Sequence, residues 1–231
     1  MVTVPKPGKT AIASLADALI IDLDEEPAID VVDKGLAPGA FIAMSPDGRR
    51  VAIAGSGNIR LWNLDDGSLI EATDTDLGAE TLAFDATSGQ VVLGSLLGPV
   101  IVWDMQSEPR RFDGHQGRVL DTVLLSSRKQ LISAGRDNTI RSWDLDSRRQ
   151  TACLRGPSRK PDAVSIAPDG QFAYSVYGDT LVAFDLAASR QLCSLSFDHQ
   201  ITTLTVTPSG HRVAVGDQAG QVHFVALAET G

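Results

Sequence analysis

The sequence lacks most of what would mark an export, membrane, nucleic-acid or metal function. There are two cysteines in 231 residues, Cys153 and Cys193, 40 positions apart. A disulfide framework is therefore set aside, and a reducing cytoplasm is compatible. Lys and Arg total 20 against 29 Asp and Glu, a net charge of −9 with a pI near 4.8. Surfaces that hold phosphate backbones or anionic bilayers need collected cations, so neither nucleic acid nor membrane is expected as a partner. Apolar runs such as Val91 to Leu93 and Leu181 to Phe184 fall far short of the roughly 20 residues of a spanning helix. Met1 to Lys9, with Pro5, Pro7 and Gly8, lacks the apolar core of a secretory signal, and a cytoplasmic location is expected. The cations are mostly Arg, and Ala, Asp and Gly abound, a composition that points to a GC-rich bacterial gene.

Catalytic motifs are equally scarce. His115, His199, His211 and His223 show no ligand spacing, so no metal is expected. There is no Gly-x-Ser-x-Gly elbow, no cysteine beside a plausible histidine and no phosphate loop; Gly55-Ser56-Gly57 links two strands and opens no helix. The carboxylates cluster in turns, where they cap local N–H groups. No enzyme activity and no cofactor are expected.

What is abundant is repetition. Trp62-Asn63, Trp103-Asp104 and Trp143-Asp144 each close a short alternating run, at intervals of 41 and 40 residues. The same step reaches Phe184-Asp185, Val225-Ala226 and, backwards, Ile21-Asp22. A second marker runs in phase: Ser45-Pro46-Asp47-Gly48, Ala167-Pro168-Asp169-Gly170 and Thr207-Pro208-Ser209-Gly210, with weaker versions at 86–89 and 126–129 and at Thr3 to Gly8. Proline presets φ, Asp or Ser bonds the local backbone and Gly supplies positive φ, so each is a turn between antiparallel strands. Between the markers the sequence alternates at period two, which predicts four short strands per unit and units at 1–34, 35–77, 78–113, 114–156, 157–197 and 198–231. One such sheet buries too little alone, so neighbouring sheets must stack.

The period, the Trp-Asp endings and the Gly114-His115 pair resemble the WD-repeat (WD40) family over nearly the whole chain. The resemblance implies an all-β fold, a β-propeller of about six four-stranded blades forming one domain over 1–231. In that family a buried hydrogen-bonded tetrad would fall on His115, Ser133, Asp137 and Trp143. Elsewhere Leu97, Gly178 and Ala219 align with the Asp, so the other blades are expected to rely on apolar packing. The last unit stops after its third strand, leaving three arrangements open: a six-bladed ring without a full latch, part of a seven-bladed ring, or a strand supplied by a partner. A piece of a larger multidomain protein is favoured.

The same resemblance places two classes of residue on one face around the channel: Leu96, Arg136, Tyr177 and Gln218, and Arg118, Lys160 and Gln200. Arg118, Arg136, Lys160 and Tyr177 would make a basic and aromatic patch suited to an acidic or phosphorylated peptide. The expected role is a protein-interaction scaffold, with a self-assembling structural propeller as the alternative. The order in Arg110-Arg111-Phe112-Asp113-Gly114 departs from the Phe-Arg-Arg-Gly signature of phosphoinositide-binding propellers, and that function is not expected.

Overall fold

Period-two alternation between turn residues should give short antiparallel strands, and it does. The computed structural model describes residues 2–3, 9–13, 17–22, 29–34, 40–85, 89–157, 159–207 and 210–227; for the strands before residue 40 and for Ser56 this is the backbone path alone. The chain forms two compact units, Met1–Asp113 and Gly114–Gly231. Apart from a 3-10 turn at Ser126–Arg128, every element among the described residues is a strand.

In the first unit, β1 (Val2–Thr3), β2 (Lys9–Ala13), β3 (Asp17–Asp22) and β4 (Ile29–Lys34) pair in sequence order. Next come β5 (Phe41–Met44), β6 (Arg50–Ala54), β7 (Ser56–Asn63), β8 (Leu69–Phe84), β9 (Val91–Ser95), β10 (Val100–Trp103) and β11 (Arg110–Phe112). These seven form one sheet because β8 is 16 residues long. Its first part pairs with β7 as far as Gly78, and its second part pairs with β9 from Ala79. The expected unit boundary at 77/78 thus lies inside a single strand. The segment Thr73 to Thr81 offers no proline to break it, and the backbone changes partner by a register irregularity instead.

The second unit holds three sheets: β12 (Val119–Leu125), β13 (Gln130–Gly135), β14 (Thr139–Asp144), β15 (Gln150–Arg155); β16 (Ala163–Ile166), β17 (Phe172–Tyr177), β18 (Thr180–Asp185), β19 (Arg190–Ser196); and β20 (Ile201–Val206), β21 (Arg212–Asp217), β22 (Val222–Ala226). The six periodic dipeptides or their first residues stand at the ends of third strands β3, β7, β10, β14, β18 and β22. There Asn63, Asp104, Asp144 and Asp185 accept N–H groups of the following turn, at 2.7–3.1 Å. The periodic Asp or Asn is therefore a turn cap, taking backbone donors that the connection to the fourth strand leaves without a ladder partner.

The first-to-second strand turns follow the same logic. Gly48 and Gly170, at φ 70° and 68°, donate N–H to Ser45 and Ala167 at 2.9 and 2.8 Å. Lys129 takes the left-handed conformation at φ 50° without a glycine. Residues 4–8, 86–88 and 208–209 of the other expected turns lie outside the described residues.

Stacking supplies the core. Along β17, Tyr174 and Val176 pack with Ile201, Val213 and Val215, while Ala173 and Tyr177 pack with Ile132, Ala134 and Ile140. Alternate side chains thus bury against opposite neighbours, so β17 has no polar face to spare, while β19 is largely exposed. Two polar ties join these sheets. Tyr174 donates its hydroxyl to the Gly210 carbonyl at 2.7 Å, and burial pushes its phenol up to about 12. The Asp121 carboxylate accepts the Ile166 and Thr122 N–H groups at 2.7 and 2.8 Å. Burial pushes that carboxyl up to about 6 against the pull of both donors. In the first unit the core joins Ala52, Ile59, Leu61, Val91, Leu93 and Trp103.

Candidate functional site

The β12–β15 sheet carries a buried polar network. A Cβ on Gly114 would lie 2.7 Å from the Trp143 ring, so only glycine lets the chain pass close enough to drop His115 behind it. The His115 side chain is fully buried. Its Nδ1 lies 3.0 Å from Asp137 Oδ1 and its Nε2 lies 2.8 Å from Ser133 Oγ. Trp143 Nε1 donates to the same Ser133 oxygen at 2.9 Å. One assignment satisfies every group: the indole donates to serine, serine to Nε2, and Nδ1–H to the carboxylate.

Three partners that the spacing does not mark complete the network. Thr139 Oγ1 and the Gln116 N–H donate to Asp137 at 2.7 and 3.0 Å, and Arg141 Nη2 reaches it at 3.4 Å. Burial raises the Asp137 carboxyl, but the His115, Thr139 and Gln116 donors outweigh it and hold it well below the usual carboxylate range. Period-two alternation puts Thr139, Arg141 and Trp143 on one face of β14, which is the signal that could have found the first two.

Asp137 sits in the three-residue loop Arg136–Asn138 that joins β13 to β14. Fixing that carboxylate fixes the loop. Arg136 is exposed, and its N–H donates to the Arg118 carbonyl at 2.8 Å, so two exposed arginines share one end of the sheet. Gln218 bonds Gln200 in the same way at 2.9 Å, and Leu96 bonds Gly78 at 2.9 Å; both side chains are exposed. Lys160, also exposed, precedes β16 of the neighbouring sheet.

Tyr177 does not join them. The β17–β18 loop is one residue shorter than its counterpart, because Tyr177 itself pairs with Thr180 where Gly135 pairs with Thr139. Tyr177 therefore ends a strand. It is 4% exposed, packs in the apolar core and donates its hydroxyl to Asn138 Oδ1 at 2.8 Å. The residue that the shorter loop places opposite Arg136 is Gly178, whose N–H is held by Asp162 at 2.7 Å.

The other blades do not rely on apolar packing alone, as the missing aligned Asp had suggested. Ser95 Oγ accepts the Leu97 and Gly98 N–H groups at 3.3 and 3.1 Å. Asp217, buried at the end of β21, accepts Ala219 and Gln221 N–H at 2.9 Å each and contacts His223 Nε2 at 2.9 Å. His223 is thus an acid-paired side chain packed edge-on to Phe197 at 5.0 Å. Its hydrogen bond, ahead of the Gln221 amide, lowers the Asp217 carboxyl. The acid has moved two residues upstream.

The other two indoles lack the serine: Trp103 Nε1 donates to the Ser107 carbonyl at 3.2 Å instead, and Trp62 Nε1 is buried without a partner among the described residues. The residue in Ser133's place in that sheet is Ile53. We expect Trp143→Phe to cost at least about 1 kcal/mol more than Trp62→Phe, since only the former breaks a hydrogen bond. Urea unfolding of both variants measures this, and equal losses would remove the indole–serine bond from the account. Among the described residues no group of three or more His, Cys, Asp or Glu side chains is placed to hold a metal.

A family model described as "WD domain, G-beta repeat" matches residues 40–63 and 106–144. The chain is 30% identical over 135 residues to the WD repeat-containing protein 36 of Homo sapiens, covering 57% of this chain and 15% of that protein. It is 26% identical over 157 residues to the transducin beta-like protein 3 of Rattus norvegicus, covering 65% and 20%. With the target of rapamycin complex subunit wat1 of Schizosaccharomyces pombe it shares 27% over 135 residues, covering 56% and 43%. The chain thus spans less than half the length of each of these relatives. A chain in the structure titled "Crystal Structure of Mitotic Checkpoint Complex" superposes with a TM-score of 0.78 over 96% of this chain and 73% of its own length, at 15% identity. That likeness is one of fold, the β-propeller of WD40 type.

Proposed function

This chain is a WD40-repeat protein, and we propose from that premise that it works as a protein-interaction module which captures an acidic or phosphorylated segment at Arg118, Arg136 and Lys160. The observation that carries the reading is the anchored loop. Asp137, held by His115, Thr139 and the Gln116 amide, leaves its neighbour Arg136 exposed beside Arg118. A guanidinium on a fixed loop binds a carboxylate or phosphate without the entropy of ordering that loop. The WD40 relatives support a scaffold role in general terms, and one of them is named as a subunit of a complex.

The test is affinity capture from the source lysate with the wild-type chain and with Arg136→Ala/Lys160→Ala, before and after phosphatase treatment. We expect the double variant to lose a partner at least about 10-fold, the effect of roughly 1.4 kcal/mol. Loss on phosphatase treatment would assign phosphate, and capture undiminished by the two substitutions would refute the patch. A second reading, strand supply or self-assembly, is favoured by the β20–β22 sheet. It has three strands among the described residues, with Val222 63% and Phe224 82% exposed on β22.

A further inference from the structure

From Leu61 to Pro109 the sequence contains no Lys, Arg or His and nine carboxylates. The chain's entire net charge of −9 therefore equals that of this one segment. The segment is built around β8. From Leu69 to Asp76 that strand has ladder partners on the β7 side alone among the described residues. Two clefts open along this stretch. One, of about 280 Å³, includes Glu71, Thr73 and Glu108 in its wall; the other, of about 450 Å³, lies against Asp74, Asp76 and Gly78. None of these four carboxylates forms an ion pair among the described residues, and all four are exposed. Leu69 and Ile70, 47% and 44% exposed, lie at one end; Leu97, 70% exposed, follows Leu96, whose N–H bonds Gly78 at the other.

We propose that the outer edge of β8 is a docking site for a basic, extended segment of a partner protein, which adds to the sheet as a strand. An edge strand presents unpaired N–H and C=O groups, and an added strand satisfies them. Alternate side chains of the added strand point to opposite faces. Glu71 and Thr73, with Glu108 across the first cleft, lie on one face of β8, and Asp74, with Asp76 at the second cleft, on the other, so Arg or Lys on both faces of the added strand meets a carboxylate, and apolar side chains between them pack toward Leu69 and Ile70. An acidic segment would face uncompensated repulsion, which makes the edge selective. The site belongs to the first unit and is opposite in sign to the arginines of the second.

The probe is a fluorescein-labelled, end-blocked peptide of about eight residues, a typical strand length, in which pairs of arginines alternate with pairs of valines so that cations project from both faces. It is compared with a glutamate–valine peptide and with an arginine–valine peptide N-methylated at alternate residues. The proteins are the full chain, the Glu71→Gln/Asp74→Asn/Asp76→Asn/Glu108→Gln variant, and an Asp179→Asn/Asp198→Asn control. Asparagine tolerates the φ of 53° at position 76. We expect anisotropy to show binding of the basic probe, loss of at least 10-fold in the quadruple variant at unchanged thermal midpoint, no loss in the control, and a similar 10-fold loss on N-methylation. Equal binding by the quadruple variant overturns the proposal. Equal binding of the N-methylated probe also overturns it, because charge alone is then at work. So does a self-association of the chain that the quadruple variant abolishes while the probe fails to bind, which would make the occupant a second copy.

Discussion

Asp137→Asn lowers the stability of the second unit by about 3 kcal/mol or more at neutral pH, the cost of breaking a buried, multiply bonded carboxylate. The substitution keeps the shape and replaces an acceptor by a donor. His115, Thr139, the Gln116 amide and Arg141 all point hydrogens at this one group, so the new amide must face donors with a donor. Urea denaturation followed by far-UV circular dichroism measures the loss. A change below about 0.5 kcal/mol, ordinary for a surface site, would refute the network's structural weight. His115→Ala, which removes one arm of it, should lower the thermal midpoint without abolishing folding.

The pH dependence gives the same variant a second readout. The folded-state pKa of Asp137 is lowered, so its contribution is complete above the ordinary carboxylate range near pH 4 and disappears as pH falls through the depressed folded value. Wild type and Asp137→Asn should therefore differ most at pH 6–7 and converge in strong acid. A gap that widens on acidification would contradict the assignment.

Tyr177→Ala costs about 3 to 5 kcal/mol, the range for emptying an aromatic site in a packed core. The ring is shared by the apolar contacts of β13, β14, β17 and β18, and its hydroxyl closes a chain through Asn138 to the Pro157 carbonyl. A Cβ on Gly156 would collide with that hydroxyl, so the backbone there has been shaped to the phenol. Tyr177→Phe leaves the packing and removes the hydroxyl, for about 1 kcal/mol. Thermal unfolding ranks the two. If partner capture by Tyr177→Phe equals wild type while Tyr177→Ala fails by unfolding, the tyrosine is a core residue. A Tyr177→Ala chain that stays fully stable but loses its partner would return it to the surface patch.

These two residues show what a linear register can and cannot read. Strand order, the turn chemistry at Ser45 to Gly48 and the members of the His115 network were legible, because each depends on local residue types at fixed spacing. Tyr177 was misplaced because counting from Phe184 assumes loops of equal length, and a loop shorter by one residue slides an exposed position into a strand. Asp217 was missed for the mirror reason: a carboxylate two residues upstream reaches the same turn amides with its own side chain. The clefts beside β8 left no periodic trace. One arises where β8 passes the turn that follows β10 and the other where it passes Gly57, and no repeat spacing encodes either.

Because β8 belongs to two ladders at once, the ladders meet at the Gly78–Ala79 peptide bond with no loop between them. Peeling β7 away frees the residues up to Gly78, and the strain passes directly through the peptide bond into the residues that hold β9. We expect the second and third repeats to open more cooperatively than units joined by a loop, which native-state hydrogen exchange would read as similar protection on both sides of Gly78. An insertion near Gly78 would fall between the two ladders with no loop to hold it and would have to be taken up as a bulge in the strand.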